Sequence, residues 1–393
     1  MKVTFFSNFL NHHQLPFCLA MDKLTGGQFT FVATTPVPQE RLQMGYHDMN
    51  KQYPFVLTTY DSQENERLAQ MLAMRSDVII TGSAPEIYTK MRIEQGKLTF
   101  RYSERIYKRG TWRALSPRGF CSMMKYHRKY RKAPLYMLCA SAYTPFDYSL
   151  TGSYLGKTFK WGYFPEVKTQ NVDALMRLKE LKGKPSILWV GRLIELKHPE
   201  ASIRLAEKLK QKGYDFELNI IGNGAMEQQL QQMIHEKQLE NYVSMLGAMS
   251  PEKVRDYMEA ADIFLFTSDF NEGWGAVLNE SMNSGCAVVA SHAIGSVPFL
   301  IQDGANGLVY KNENQHQLEE RVEKLIRDSD YRKRLGMNAY ESIVNMWSAE
   351  VAAKRFVELS EALLKGEAAN ALFAEGPCSK AKILKNDWYS SQA

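Results

Sequence analysis

Short apolar runs of strand length alternate along this chain with longer stretches of helical period, and the alternation occurs twice, on either side of a break rich in Gly, Pro and Lys. That pattern belongs to parallel strands covered by helices. In the first half the predicted strands are Lys2–Phe6, Phe29–Ala33, Asp77–Thr81, Leu98–Tyr102 and Leu135–Cys139, with helices at Glu64–Arg75, Pro85–Glu94 and Pro117–Arg131. The break runs from Trp161 to Pro185 and holds one short helical pattern, Val172–Leu181. The second series is clearer. Strands at Ser186–Val190, Glu217–Ile221, Tyr242–Leu246, Asp262–Phe266 and Ala287–Ala290 alternate with helices at Pro199–Lys212, Ala225–Glu236, Pro251–Ala260 and Gly275–Ser284. Three more helices, Gln315–Asp328, Asp330–Met346 and Ala349–Lys365, follow. The expected class is α/β, with two doubly wound domains in tandem. Their expected bounds are 1–165 and 166–345, then a final helical segment 346–366 and a loosely held tail 367–393 that lacks periodicity.

Length agrees, since 393 residues at about 100–200 per domain make two domains or one large one. With 45% hydrophobic residues the composition excludes disordered and collagen-like chains. The five cysteines (Cys18, Cys121, Cys139, Cys286, Cys378) are scattered and form no CxxC pair, which speaks against a disulfide framework or a zinc site and fits a reducing cytoplasm. The apolar stretch near the N-terminus is broken by Asn8, Asn11, His12, His13 and Gln14, so it does not read as a signal peptide. No run of 18 apolar residues occurs, and the chain is expected to be soluble or at most peripheral to a membrane.

The net charge of +6 is unevenly distributed. Between Arg101 and Lys132 stand eleven basic residues and one acid, Glu104, so this segment carries +10 and the remainder −4. Tyr102, Tyr107, Trp112, Phe120, Tyr126 and Tyr130 are interleaved. Basic and aromatic residues together suit anionic headgroups or polyphosphate; nucleic acid would fit the same chemistry, and so would an ordinary solvated helix face.

Four features of the second half converge on a phosphorylated nucleotide. Val190-Gly191-Arg192, with Lys197 beyond, ends a strand at the edge where open α/β sheets bind ligands, and guanidinium and ammonium suit a diphosphate. Ile221-Gly222-Asn223-Gly224 is a glycine-punctuated turn that admits close approach to backbone, without being a dinucleotide fingerprint. From Glu272 through Gly273-Trp274-Gly275-Ala276 to Glu280, one carboxylate stands in a loop and a second lies seven residues on, within the following helix. Either glutamate taken singly reads more readily as an ordinary helix acid. The fourth is Asp303-Gly304-Ala305-Asn306-Gly307-Leu308.

In this order and spacing, the segment Ser186–Val309 resembles the donor-binding domain of family 4 glycosyltransferases (glycosyl transferases group 1), which have the GT-B fold of two Rossmann-like domains facing across a cleft. The resemblance implies that Arg192 and Lys197 bind the donor pyrophosphate and stabilise the leaving group. Glu280 would hold the ribose hydroxyls and Glu272 the donor sugar. Backbone of Gly273, Trp274, Gly275 and Ala276 would contact sugar and phosphates, while Met245, Leu246 and the turn containing Gly222 and Asn223 would line the base pocket. The family retains anomeric configuration; the front-face mechanism usually proposed needs no protein nucleophile, since the leaving phosphate takes the acceptor proton. The two glutamates therefore do not imply the paired carboxylates of glycoside hydrolases. No metal or other cofactor is expected to be obligatory; a nucleotide diphosphate sugar, by default a UDP-sugar, is the donor substrate.

The first half departs from the family pattern. Ser7 to Gln14 stand where many members carry a glycine-rich loop. His12, His13 and Asn11 there are either polar groups reaching donor or acceptor, with His13 in the catalytic set, or a helix start capped by Asn11. Glu104 is either salt-bridged or functional. Phe299 replaces an acid common in the family. The resulting expectation is a retaining hexosyltransferase-type enzyme acting on a glycan or polyprenyl-linked acceptor in surface polysaccharide assembly, in the cytoplasm, with Arg101–Lys132 resting on the inner membrane and no nucleic acid partner. A nucleotide-sugar epimerase of the same fold and a non-catalytic binding protein are the alternatives.

Overall fold

The computed structural model describes residues 1–39, 47–181 and 183–390; Lys182 of the predicted break and the end of the predicted tail lie outside them. The chain forms two compact units, Met1–Glu166 with Ser348–Leu384, and Val167–Trp347 with the residues from Lys385 onward.

The first unit holds a seven-stranded sheet: β1 (Val3–Ser7), β2 (Phe29–Ala33), β3 (Val56–Thr58), β4 (Val78–Thr81), β5 (Thr99–Ser103), β6 (Leu135–Cys139) and β7 (Thr158–Lys160). Its order is β3-β2-β1-β4-β5-β6-β7, and every pair is parallel. Every residue of β1 and β4 is buried, as strands covered on both faces require. The helix Pro117–Arg131 expected from sequence ends at Tyr126; His127 leaves the helical conformation and its Nδ1 pairs with the Tyr154 hydroxyl at 2.8 Å, and a short 3-10 turn, Arg128–Tyr130, follows. The predicted helix Pro85–Glu94 is likewise divided, because the Thr89 hydroxyl turns back onto the Glu86 carbonyl and carboxylate.

The helix Ala349–Leu364 belongs to this unit; Phe356 is fully buried against Phe17, Phe100 and Trp161. The stretch after Gly366 lacks periodicity and yet is anchored. Cys378 N–H donates to the Lys160 carbonyl at 2.8 Å, Lys160 N–H to Ser379 at 2.7 Å, and Ala381 N–H to Thr158 at 3.0 Å, so these residues pair along the outer edge of β7. Edge pairing needs backbone groups and no side-chain period, which is why the sequence pattern is silent there.

The second unit holds six parallel strands, β8 (Ser186–Val190), β9 (Glu217–Ile221), β10 (Val243–Met245), β11 (Ile263–Phe266), β12 (Ala287–Ser291) and β13 (Leu308–Tyr310), in the order β10-β9-β8-β11-β12-β13. Apolar side chains of β8, β9 and β11 bury against the helices Glu200–Gln211, Gln315–Arg327 and Ser329–Asn345. The last described residues join this unit: Tyr389 donates its hydroxyl to the Val309 carbonyl at 2.8 Å. Among the described residues, no helix is long and apolar enough to cross a membrane.

One buried cation organises the lower end of the first sheet. The Arg92 guanidinium, with no exposed surface, donates to the carbonyls of Ala73, Ser76, Asp77 and Leu98 at 2.7–3.2 Å, and burial lowers its pKa to about 10. Arg92→Met would leave four carbonyls short of a donor and is expected to destabilise the protein by about 3 kcal/mol or more, read as a lower urea midpoint.

Candidate functional site

The order of the second sheet reverses between β8 and β11, and the loops leaving their carboxyl ends carry the predicted donor-site residues. These loops are laced together. The Thr267 hydroxyl, just after β11, donates to the Lys197 carbonyl at 2.6 Å and accepts from the Trp189 indole of β8 at 2.9 Å. Asp269 N–H donates to the Leu196 carbonyl at 3.0 Å. His198, in a left-handed conformation, sets its ring between Glu200 at 3.1 Å and Asp269 at 3.6 Å, and hydrogen bonds to Asp269 and Glu200 raise its pKa to about 9. Lys197 and Glu272 are thereby brought together as an ion pair with both side chains largely buried, and the Ser268 hydroxyl donates to the same carboxylate oxygen at 3.1 Å.

The other predicted residues are placed as follows. Arg192 is exposed just beyond β8. The turn after β9 closes on the same loop: Leu193 N–H donates to the Asn223 carbonyl at 2.8 Å, and Gly222 N–H to the Gly247 carbonyl, just past Met245 and Leu246, at 2.9 Å. Gly222 has φ 140°, and a Cβ there would stand 1.8 Å from the Gly191 carbonyl oxygen, so only glycine allows this approach. The helix bearing Glu280 starts at Val277, two residues later than expected, because Gly275 is left-handed at φ 78° and packs where a Cβ would lie 2.3 Å from the Phe266 ring. Trp274 is fully buried and donates to Asn279 at 2.9 Å, Gly273 and Ala276 are buried beside it, and Trp274, Phe299 and Trp347 form an aromatic cluster with centroids about 6 Å apart. Phe299 thus contributes ring packing at this place.

Glu280 is the outlier. Among the described residues no hydrogen bond reaches its carboxylate, and desolvation, only partly offset by Arg255, raises its pKa to about 7. A carboxylate placed in this way is short of donors. The Asp328-Ser329-Asp330 sequence has the spacing of an acidic metal motif, but Asp328 caps the helix Ser329–Asn345, accepting from Tyr331 N–H at 2.8 Å.

His13 lies in the first unit, its ring stacked on Tyr163 at 5.7 Å. Asn11 is not the N-cap, which is Gln14 without a side-chain cap; its side chain instead accepts from the N–H groups of His13 and Gln14 in the turn ahead of the helix Leu15–Thr25. Tyr163 lines a polar cavity of about 470 Å³ at the carboxyl ends of β1, β4 and β5, where the first sheet reverses its order. Sequence reasoning missed its Thr81 and Gly82, which carry no motif; only the strand order brings them beside Ser7 and Ser103. Glu104 also lines it, salt-bridged to Lys108 at 2.7 Å and accepting from the Tyr163 hydroxyl at 2.7 Å.

The basic segment needs correction. Arg101 and Arg105 are not part of its surface: Arg101 is buried in a two-pronged pair with Glu86 at 2.5 and 2.8 Å, and Arg105 is buried against Asp147 at 3.3 Å. Their partners lie outside the segment in sequence, so local counting misses them. Arg109, Arg113, Arg118, Lys125, Lys129, Arg131 and Lys132 remain exposed, together with Trp112 (65% exposed) and Phe120 (46%).

Residues 174–342 match the family model described as glycosyl transferases group 1. The second unit is a group 1 glycosyltransferase domain. Alpha-D-kanosaminyltransferase of Streptomyces kanamyceticus is 28% identical over 189 residues, covering 47% of this chain and 48% of that protein. The amylovoran biosynthesis glycosyltransferase AmsK of Erwinia amylovora is 36% identical over 138 residues, 34% of each chain. The matches thus span half or less of these relatives' length. Over 92% of this chain the fold is that of Anabaena Alr3699/HepE (TM-score 0.67, 17% identity, 100% of that chain), and over 93% that of sucrose-phosphate synthase from Thermosynechococcus elongatus (TM-score 0.62, 14% identity, 100%). Both parallel sheets, the one of the glycosyltransferase domain and the one before it, are accounted for by this GT-B fold.

The His198 bridge within the glycosyltransferase domain has a definite pH signature. Its folded pKa is raised, so its stabilisation is full below the unfolded value near 6.5 and is lost as pH rises through about 9. Asparagine tolerates the left-handed backbone. The Tm deficit of His198→Asn is therefore expected to be largest near pH 6 and to shrink by pH 9.5 in a thermal melt series.

Proposed function

We propose that the protein is a retaining glycosyltransferase that moves a sugar from a nucleotide diphosphate sugar, with uridine as the base, to a glycan or lipid-linked acceptor. The observation that carries this reading is the meeting of Lys197 and Glu272 on the loops of the β8–β11 reversal, with the donor-poor Glu280 on the helix that follows. Support comes also from HepE, whose structures hold UDP, UDP-glucose, and UDP with glucose.

In this reading the donor pyrophosphate takes Lys197 and the exposed Arg192 as counter-charges; as the sugar–phosphate bond lengthens, negative charge grows on the phosphate and both cations stabilise it. Glu272, held by Lys197 and Ser268 beforehand, turns its remaining lone pairs to the sugar hydroxyls. Glu280 accepts the paired ribose hydroxyls that its own surroundings do not supply. Backbone of Gly273 to Ala276 meets sugar and phosphates, and Gly222, Asn223, Met245 and Leu246 flank the base. His13, behind Tyr163, acts from the acceptor side. The leaving phosphate takes the acceptor proton, and neither a metal nor another resident cofactor belongs to the scheme.

The acceptor belongs to the first unit. The exposed basic residues around Trp112 and Phe120 are read as a contact with an anionic membrane surface from the cytoplasmic side, and the role as surface polysaccharide assembly, for which the name of the relative AmsK is the support.

Calorimetry with UDP-sugars across pH tests the donor site. Binding is expected to tighten as pH rises from 5.5 to 8, because ionised Glu280 is the better acceptor. Folding runs the other way. The raised pKa of this acid stabilises the fold fully below about 4.5, and that stabilisation is lost as pH passes about 7, so Glu280→Gln should raise Tm by a few degrees at pH 8 while weakening UDP-sugar binding at least tenfold and removing both pH trends. Glu272→Ala should keep the fold and reduce turnover at least 100-fold; unchanged turnover would sink the reading. Reversing charge at Arg118 and Lys125 should release the protein from anionic vesicles without altering UDP binding, read by co-sedimentation.

A further inference from the structure

Three loops leave the carboxyl edge of the second sheet side by side, because β11, β12 and β13 are parallel neighbours. His292, the first residue after β12, ties them together. Its Nδ1 accepts the Asn312 N–H, from the loop after β13, at 2.9 Å, and its ring meets that of Phe270, from the loop after β11, edge-on at 5.4 Å. With Nδ1 an acceptor, Nε2 carries the ring hydrogen and donates it to the Asn386 carbonyl at 3.2 Å. Burial lowers the pKa of this histidine and so favours the neutral form that these bonds require.

Asn386 belongs to a turn near the end of the chain, in which Trp388 N–H donates to the Lys385 carbonyl at 3.3 Å and Ser390 N–H to that of Asp387 at 3.0 Å. The half-buried rings of Trp388 and Tyr389 lie 6.1 and 5.5 Å from the His292 ring. The Tyr389 hydroxyl fastens the turn, donating to the Val309 carbonyl at 2.8 Å and accepting from Arg321 at 3.2 Å. Arg321 in turn faces Asp303 at 3.6 Å, and Asp303 accepts the Val309 N–H at 2.8 Å. The acid that opens the motif from Asp303 to Leu308 therefore helps to seat the end of the chain.

Phe270 stands in the turn from Asp269 to Glu272. The Asp269 carboxylate accepts from Asn271 N–H at 2.7 Å, and Glu272 N–H donates to the Asp269 carbonyl at 3.1 Å. Both ends of this turn are tied toward β8, Asp269 to Leu196 and Glu272 to Lys197, while Phe270 rests on His292 beside β12. A group that must meet sugar hydroxyls needs to be held to within about 0.5 Å, and a displacement of about 1 Å can cost on the order of 100-fold in rate.

We propose that residues Asn386–Tyr389 are a positioning element of the donor-sugar site: seated on His292, they hold Phe270 and with it the turn that carries Glu272. The catalytic consequence rests on the reading of Glu272 as the contact to the donor sugar; the hold on the turn does not.

The test is hydrogen exchange read by mass spectrometry, with calorimetry, on the full chain, using UDP, UDP-glucose, UDP-galactose and UDP-N-acetylglucosamine as probes. In the double variant Trp388→Ala, Tyr389→Ala the amides of residues 268–276 are expected to exchange at least fivefold faster, while those of β8 and β9 keep their rates. UDP affinity should stay within twofold, whereas the UDP-sugar that the parent binds more tightly than UDP should weaken at least fivefold, a split that general loosening of the unit would not produce. Trp388→Phe with Tyr389 intact should restore both readouts. Tyr389→Phe, which keeps the ring and loses the two hydroxyl bonds, should give a smaller rise in exchange over the same residues and decides the matter if the double variant does not fold. Unchanged exchange at 268–276, or UDP and UDP-sugar weakened by the same factor, overturns the proposal. Faster exchange there in a chain whose parent prefers no UDP-sugar to UDP upholds the hold on the turn and overturns Glu272 as the sugar contact.

Discussion

Strand β8 is paired on both sides, Ile187 to Trp189 lying between Leu218 to Ile220 of β9 and Ile263 to Leu265 of β11. Parallel pairing on both edges forces the connections from β8 and β11 to depart in opposite directions, and their carboxyl ends part. Everything chemical in the second unit hangs on that parting. The Thr267 hydroxyl and the backbone N–H groups of Asp269, Gly222 and Leu193 hold the flanking loops in place. Strand β1 repeats the arrangement between β2 and β4, and a cavity lies at the corresponding end.

The carboxyl ends of the two sheets differ in how their charges are paired. In the second unit one acid is paired with a lysine and the other, Glu280, is left short of donors. In the first unit Arg101, Arg105 and Glu104 of the cavity wall are paired with Glu86, Asp147 and Lys108.

The central strands were legible in the sequence. Phe29–Ala33, Leu135–Cys139, Ser186–Val190 and Glu217–Ile221 have the bounds their apolar runs predict, because the buried positions of these covered strands must be apolar. The edge strands β3 and β7 are three residues each, too short for any period, and the helix Leu15–Thr25 hid because Leu19 and Leu24 are exposed and blur its apolar face. Site residues were legible where a motif is contiguous, as from Glu272 to Glu280. The partnerships Arg105–Asp147, 42 residues apart, and Lys197–Glu272, 75 apart, depend on strand order, which periodicity does not encode. That is also why eleven basic residues in a row of 32 overstated the exposed charge.

The first unit is discontinuous: its closing pieces, the helix Ala349–Leu364 and the β7-pairing residues near Ser379, are encoded after nearly all of the second unit. A chain leaving the ribosome at about 5–20 residues per second therefore exposes the β7 edge and the bed of Phe356 for on the order of 10–40 s before either is covered, while the second sheet is already complete. Birth order and chain order are thus inverted: the unit made first finishes folding last, and in that interval an unprotected parallel sheet is the species that chaperones would meet.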